Sequence, residues 1–208
     1  MNIFVFGTLL SENFRKIVLG RELHSEHICT ASLKNFCVYW AEAGPFPVIV
    51  PKDGTEVHGV VLKDLNEHDI ERLNYYELGF GYVLKEALVE TNDCLQDVFA
   101  YFCKSSDMAS KNLWSFDDWL TKHSEIQYLA TTEFMDFFGT KFGDTAQQMY
   151  NSILKRAEIY VKERSSVRNV IEGGPSKHAK ARVESLSREY LGFFALNQIN
   201  LKYPYFSQ

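Results

Sequence analysis

Cysteine is scarce in this sequence, and the four residues present are not spaced as metal ligands. Cys29, Cys37, Cys94 and Cys103 form no C-x-x-C pair, and none has a histidine at the spacing of a zinc site. Three of them lie in apolar, strand-like runs, where a free thiol acts as a small buried hydrophobic group. We therefore expect reduced thiols in a reducing compartment and no metal site.

The sequence also lacks an excess of basic residues and a long apolar run. Its 22 lysines and arginines against 27 aspartates and glutamates give a net charge of -5, which argues against a nucleic-acid partner because phosphate contacts need a concentrated basic face. No apolar run approaches the roughly 20 residues of a membrane-spanning helix. Residues Met1–Leu10 lack the basic start and the small-residue cleavage site of a signal peptide. These absences predict a cytoplasmic protein with neither a nucleic-acid nor a membrane partner.

Short apolar runs separated by turn signals occupy the first half of the chain. They predict five or six strands before residue 104, with only two helices among them, at Glu12–Leu19 and Asn66–Glu77. We expect Pro51 to end one strand before another begins at Glu56. The pattern is typical of the α+β class, a small mixed β-barrel of five to seven strands with flanking helices, rather than a doubly wound sheet.

The second half has a different character, and the chain is predicted to have three regions. Residues 1–106 form the barrel, residues 107–165 form a helical extension packed on it, and residues 166–208 form a linker and a strand-like tail. Aromatic residues in the tail favour the hypothesis that the C-terminal extension forms a homo-oligomer. These residues are Phe193, Phe194, Tyr203, Tyr205 and Phe206.

The helix predicted at Asn66–Glu77 brings an acidic residue onto its apolar face. Glu77 lies four residues after Leu73 and seven after Ile70, which places its carboxylate on the stripe that these side chains share. A carboxylate held against the core has a raised pKa, which suits general acid–base catalysis. The alternative is that Glu77 ends the helix and points outward to solvent or to the glycine-containing turn that follows.

The stretch FVFGTLL, residues 4–10, is a strand that stops at a Gly-Thr turn before a helix. Such a turn leaves backbone N–H groups without partners near Gly7, Thr8 and Leu9, and these groups bind carboxylates or developing oxyanions. A plain change of chain direction is the alternative interpretation.

Together the two stretches resemble the signatures of a known family. FVFGTLL resembles the (F/Y)GTL motif of the γ-glutamylcyclotransferases (AIG2-like proteins), including their γ-glutamylamine-specific branch. LNYYELGFGYVLKEALVE, residues 73–90, resembles the family's second motif, of the form LDxYEGxxYxRxxVxV. The distance between the motifs also fits.

The resemblance implies an enzyme of transferase or lyase chemistry with a small-molecule γ-glutamyl substrate. Glu77 is then the general base and acid of a ring closure that forms 5-oxoproline and releases an amine, without a metal or an organic cofactor. The resemblance further implies that the backbone of Gly7, Thr8 and Leu9 binds the glutamyl group, and that Phe6 and Tyr82 line the pocket.

Three positions depart from the family pattern. Phe6 replaces a tyrosine, Asn74 replaces an aspartate, and Leu84 replaces an arginine. These departures favour an alternative function, a non-catalytic ligand-binding or regulatory module that uses the same pocket.

A narrower resemblance extends beyond the barrel. ERLNYYELGFGY is similar to a stretch in the N-terminal cyclotransferase-like domain of tellurite-resistance proteins that also carry a Nudix domain. Trp114 and Trp119, then ATTEFMDFFG at residues 130–139 and LKRAEIYV, match segments that follow that domain. The Nudix box, with its closely spaced glutamates, does not occur in this sequence, so we expect no pyrophosphatase activity from it.

Overall fold

Six strands form one sheet in the computed structural model, which describes residues 1–92, 94–141 and 143–172. The strands are β1 (Ile3–Val5), β2 (Ile28–Ala41), β3 (Gly44–Leu62), β4 (Tyr82–Thr91), β5 (Leu95–Cys103) and β6 (Ala109–Leu113). Their order is β3-β1-β5-β4-β2-β6, and β2 also pairs with β3. That pairing closes a five-stranded barrel, with β6 added at the side of β2. Strands β1 and β5 are parallel, and the other pairs are antiparallel. The predicted small mixed barrel is confirmed.

The described residues contain five α-helices beside this sheet. They are α1 (Glu12–Leu19), α2 (Glu67–Leu78), α3 (Phe116–Lys122), α4 (Ser124–Met135) and α5 (Gly143–Glu172). None of these helices combines the length and the apolar character needed to cross a lipid bilayer. The chain divides into two compact units, Met1–Asn151 and Ser152–Gln208. The barrel, α1 to α4 and the start of α5 belong to the first unit.

Successive side chains of β1 point into two different hydrophobic clusters. Phe4 faces a cluster of alternate strand residues that includes Ile49 and Val61, because successive side chains of a strand point to opposite sides. Ile3 faces the other cluster, which the flanking helices complete with residues such as Trp119. Trp119 is fully buried, so the short helix α3 is anchored by one large side chain.

Strand β3 corrects one prediction, because it continues through Pro51 instead of ending there. The pairing of β2 with β3 shifts register between Lys34 and Phe36, where Asn35 adopts a φ of 62°. The Asn35 side chain accepts a hydrogen bond from the backbone N–H of Gly54 at 3.2 Å. Proline is tolerated beside such an irregularity, because the regular pairing of the two strands is interrupted there. The two expected strands are therefore one 19-residue strand.

Strand β6 was not predicted, and α5 extends further than the sequence indicated. Residues Ala109–Leu113 are mostly polar and exposed, so this added strand carries no apolar alternation. The helical pattern of the sequence predicts an end at Arg164, and α5 continues eight residues further, to Glu172. The boundaries at residues 106 and 165 stay predictions, and the aromatic residues of the tail lie outside the described residues.

The cysteines are free thiols, as expected, but none is fully buried. Cys29, Cys37 and Cys103 are half-buried on strands, and Cys94 is exposed.

Candidate active site

A pocket lies beside the end of β1, within the first unit. Its volume is about 50 Å³, counted as space open to the centres of water-sized spheres, where a single water needs only about 10–15 Å³. The pocket therefore admits a small ligand. Its lining is Phe4, Val5, Phe6, Thr8, Leu9, Phe46, Pro47, Tyr76, Glu77, Phe80, Tyr82, Tyr101, Gln127 and Tyr150.

The turn that follows β1 requires glycine at its first position. Gly7 has a φ of +70°, and a Cβ atom there would collide with Cγ of Pro47 and lie 2.8 Å from its Cβ. Residues Gly7–Leu10 form a 3₁₀ turn that the N–H of Ser11 closes on the carbonyl of Thr8 at 3.1 Å. Because each 3₁₀ bond runs to the carbonyl three residues back, the N–H groups of Gly7 and Thr8 have no partner within the turn.

A buried arginine fixes the other end of this turn. Nη1 of Arg15, on α1, donates to the carbonyls of Leu9 at 2.9 Å and Leu10 at 2.8 Å. Burial lowers the pKa of Arg15, and the nearby Glu12 opposes this shift. The guanidinium satisfies carbonyls that would otherwise be buried without partners, so it stabilises the turn in one conformation.

Helix α2 is held at its start and along its length. Asn66 and Asp69 form a capping box, and Asp69 also accepts two hydrogen bonds from Arg21, at 2.8 and 2.6 Å. Arg72 donates to the carbonyls of Val18 at 2.8 Å and Ile17 at 3.1 Å, at the end of α1. These contacts fix α2 against α1, so that its last turn presents Glu77 to the pocket.

Among the described lining residues, Glu77 supplies the one carboxylate, and its pKa is perturbed. Desolvation raises the pKa of Glu77 to about 8, because burial disfavours the charged form. Burial, and then the Glu77 charge, also raise the pKa of Tyr82 and of Tyr101. Glu77 is thus poised to exchange a proton near neutral pH.

Two phenols near Glu77 are occupied by structural hydrogen bonds. The Tyr82 hydroxyl donates to the carbonyl of Pro47 at 2.5 Å. The Tyr101 hydroxyl donates to Oδ1 of Asn74 at 2.8 Å. Both tyrosines therefore shape the pocket wall, and Asn74 supplies the acceptor for Tyr101.

A comparison with known protein families identifies the chain. Residues 3–121, more than half of the sequence, match the family model described as gamma-glutamyl cyclotransferase, AIG2-like. The chain belongs to this family. AIG2-like protein B of Arabidopsis thaliana is 28% identical over 138 residues, which are 65% of this chain and 78% of that protein. AIG2-like protein A of the same plant is 28% identical over 127 residues, 60% of this chain and 74% of that protein.

Two solved structures are similar to parts of this AIG2-like chain. The solution structure of an Arabidopsis thaliana protein is 25% identical and covers 68% of this chain and 93% of its own, with a TM-score of 0.46. The structure of a gamma-glutamyl cyclotransferase is 22% identical and covers 50% of this chain and 66% of its own, with a TM-score of 0.41.

The structure brings most of the candidate residues of this AIG2-like chain to one pocket. Phe6, Thr8, Leu9, Tyr82 and Glu77 line it, and Gly7 is buried beneath, against Pro47. Leu84 does not line the pocket, and packs instead against the cluster under the helices. Among the described residues, no three histidines, cysteines or acidic residues are grouped to share a metal ion.

Several residues of the pocket wall were not predicted as site residues. Phe46 and Phe80 carry no sign of this role beyond their apolar character. Gln127 and Tyr150 come from α4 and α5, beyond the residues that match the family model. For Gln127 the sequence offers one indication, its helical spacing. Gln127, Thr131 and Phe134 share a face of α4, and the last two are fully buried.

Proposed function

We propose that this chain is an enzyme of the γ-glutamylcyclotransferase type. It cyclises a γ-glutamyl amine or peptide to 5-oxoproline and releases the amine, with Glu77 as general acid and base. The observation that supports this most directly is a carboxylate with a pKa of about 8 on the wall of a small pocket. General acid–base catalysis is most effective when the pKa of the group is close to the working pH.

The chemistry moves one proton in two transfers, one on each side of the ring closure. The free α-amine of the substrate attacks its own γ-carbonyl carbon, and the Glu77 carboxylate takes the proton that this nitrogen loses. The bond from the γ-carbon to the leaving nitrogen then breaks, and Glu77 delivers the proton to that nitrogen. Because amine and carbonyl belong to one molecule, orientation in the pocket supplies much of the acceleration.

The turn after β1 binds the glutamyl group in this proposal. Its N–H groups at Gly7, Thr8 and Leu9 face a carboxylate or the oxygen that becomes negative during attack. Two contacts support a preorganised turn, the Arg15 bonds to the Leu9 and Leu10 carbonyls and the close fit of Gly7 against Pro47.

A second candidate is a ligand-binding or regulatory module without catalysis. Phe6 has no hydroxyl, and the hydroxyls of Tyr82 and Tyr101 are engaged by Pro47 and Asn74. Fewer hydroxyls are therefore free to contact a reacting group, which favours binding without turnover.

The narrower parts of the assignment are also proposals. The match of Trp114, Trp119 and the α4 segment supports kinship with the cyclotransferase-like domain of tellurite-resistance Nudix proteins. A cytoplasmic location and self-association through the C-terminal extension remain hypotheses from the sequence.

The test is release of 5-oxoproline from a panel of γ-glutamyl amines and dipeptides. We expect Glu77→Gln to lower the rate by about 10²–10⁴-fold, the usual contribution of a general acid–base group. Glu67→Gln is the matched control, since Glu67 is an exposed glutamate at the start of the same helix. Equal rates in Glu77→Gln and the unmodified protein would contradict the mechanism. Binding of 5-oxoproline without any turnover would favour the second candidate.

A further inference from the structure

Gln127 places a neutral amide on the wall of the pocket that contains Glu77. It lies in the first turn of α4, and its side chain lines the pocket although only 3% of the residue is exposed. Its backbone N–H donates to the carbonyl of His123 at 3.1 Å. Among the residues that the structure describes, the side-chain amide makes no hydrogen bond, and its polar atoms are not among the fully enclosed ones without a partner, so they are open to the pocket.

A side-chain amide that opens to a pocket and makes no hydrogen bond within the protein can pair with a ligand. A glutamine side chain offers two N–H donors and one acceptor, and buried polar groups are nearly always paired because an unpaired one destabilises the fold. An amide that is shielded from bulk solvent and faces a cavity is therefore suited to pair with polar atoms of a ligand.

The charges around the pocket indicate which atoms of a ligand would pair with the Gln127 amide. A γ-glutamyl group carries an α-carboxylate, yet no lysine, arginine or histidine is present among the described lining residues, and Glu77 is acidic. Arg15 is close in sequence, but its bonds go to the carbonyls of Leu9 and Leu10. The carboxylate must then be bound by neutral donors, and the Gln127 amide is one of the few available.

A hydrogen bond of the neighbouring Tyr128 holds the start of α4 against the segment that follows β1. The hydroxyl of Tyr128, the next residue on α4, lies 2.8 Å from Oγ of Ser11. Ser11 closes the Gly7–Leu10 turn and also caps α1, where its Oγ accepts from the N–H of Phe14. This link ties the start of α4 to the segment that carries Thr8. Gln127 and Thr8 therefore line the same pocket.

We propose that Gln127 is a substrate-binding residue whose side-chain N–H groups bind the α-carboxylate of the γ-glutamyl group. This inference rests on the proposed function, because it names the atoms that the same pocket recognises. It also makes α4 part of the binding site, although α4 lies beyond residues 3–121 of the family match.

Two substitutions of Gln127 test the proposal in the full chain. Gln127→Met removes the donors at similar volume, and Gln127→Glu keeps the shape but replaces the donor by a negative charge. The probes are 5-oxoproline, which carries the carboxylate, and 5-oxoprolinamide, which does not, each titrated by calorimetry. We expect Gln127→Met to weaken 5-oxoproline binding by about tenfold, the size of one hydrogen bond to a charged group, and Gln127→Glu to weaken it further.

Binding of 5-oxoprolinamide should change by less than about threefold in both variants, since a lost neutral hydrogen bond costs little. With a γ-glutamyl amine as substrate, KM should rise more than kcat falls. Thr132→Val is the matched control, because Thr132 is buried on the same helix, its hydroxyl donates to the carbonyl of Tyr128 at 2.7 Å, and it does not line the pocket. Circular dichroism and thermal unfolding verify that each variant is folded.

The outcomes separate this inference from the function on which it rests. If the unmodified chain neither binds 5-oxoproline nor releases it, the proposed function fails. If the unmodified chain does so and both Gln127 variants bind 5-oxoproline normally, Gln127 is not a binding residue. Equal weakening for 5-oxoproline and its amide would overturn the assignment to the carboxylate.

Discussion

The hydroxyl of Tyr82 donates a 2.5 Å hydrogen bond to the carbonyl of Pro47. Pro47 in turn occupies the space next to Gly7, where a Cβ atom would collide with the proline ring. Strand β4 therefore fixes a residue of β3 that supports the turn after β1. The bond is buried, so its loss removes a donor from the Pro47 carbonyl in a place shielded from water.

Replacing Tyr82 by phenylalanine tests this support. We expect Tyr82→Phe to lower the free energy of unfolding by about 1–3 kcal/mol, because the Pro47 carbonyl loses its donor in a buried place. The measurement is thermal and urea unfolding, with 5-oxoproline release as a second readout. Tyr39→Phe is the control, since the Tyr39 hydroxyl accepts from Lys52 on the surface and should contribute little. Equal stability of the two variants would contradict the role of Tyr82.

Gly7 and Gly54 form a matched pair. Both have positive φ, +70° and +73°, but at Gly54 an added Cβ would have no atom of the surrounding chain within 4 Å. Gly54→Ala should therefore cost only about 1–2 kcal/mol of left-handed strain. Gly7→Ala adds a clash with Pro47, so we expect a larger loss, about 3 kcal/mol or more. Unfolding of both variants in urea measures the difference, and equal losses would show that the Pro47 contact is unimportant.

The sequence was sufficient to predict the barrel and the position of Glu77. Alternation of apolar residues marks the strands, and spacing from Ile70 and Leu73 places Glu77 on the apolar side of α2. Both are local patterns. They depend on residues within one turn or one strand, and the structure places Glu77 at the pocket as this spacing indicates.

Features that depend on distant residues could not be predicted. The continuity of β3 through Pro51 depends on a register shift opposite Asn35 in another strand. The contribution of Gln127 depends on the packing of α4, which the Tyr128–Ser11 contact ties to a turn more than a hundred residues earlier. Helical spacing places Gln127 on the same face of α4 as Thr131 and Phe134, but only the tertiary contact brings that face to the pocket.

Asn74 lies one helical turn before Glu77 and accepts the Tyr101 hydroxyl bond at 2.8 Å. In the proposed mechanism the Glu77 carboxylate is the active form, so the rate should rise with pH through the pKa of about 8. Asn74→Asp adds a negative charge nearby, which disfavours ionisation of Glu77 and should move this rise upward by about one pH unit.

The measurement for Asn74→Asp is the pH dependence of kcat/KM for 5-oxoproline release. Asn112→Asp, at an exposed position of β6, is the control for an added charge that is not on α2, and its profile should match that of the unmodified protein. An unmoved profile in Asn74→Asp would mean that the rise does not report Glu77.

The desolvation that raises the pKa of Glu77 should also make stability depend on pH. Its pKa is raised from 4.5 to about 8 in the folded state, so between these values the folded protein binds a proton that the unfolded chain has released. Stability falls with pH wherever the folded state binds more protons. We expect the free energy of unfolding to decrease by about 2 kcal/mol between pH 5 and 8, allowing for partial exposure of the side chain, and the decrease to stop above that range.

Glu77→Gln removes this titration, because glutamine stays neutral in both states. Thermal unfolding from pH 5 to 9 should therefore show Tm falling by about 4–8 °C in the unmodified protein and in the exposed-site control Glu67→Gln, but much less in Glu77→Gln. The variant should consequently be the more stable protein at pH 8 and the less active one, since the same buried carboxylate destabilises the fold and moves the proton. Parallel curves for all three proteins would show that Glu77 titrates at its ordinary pKa, and would remove the main support for its catalytic role.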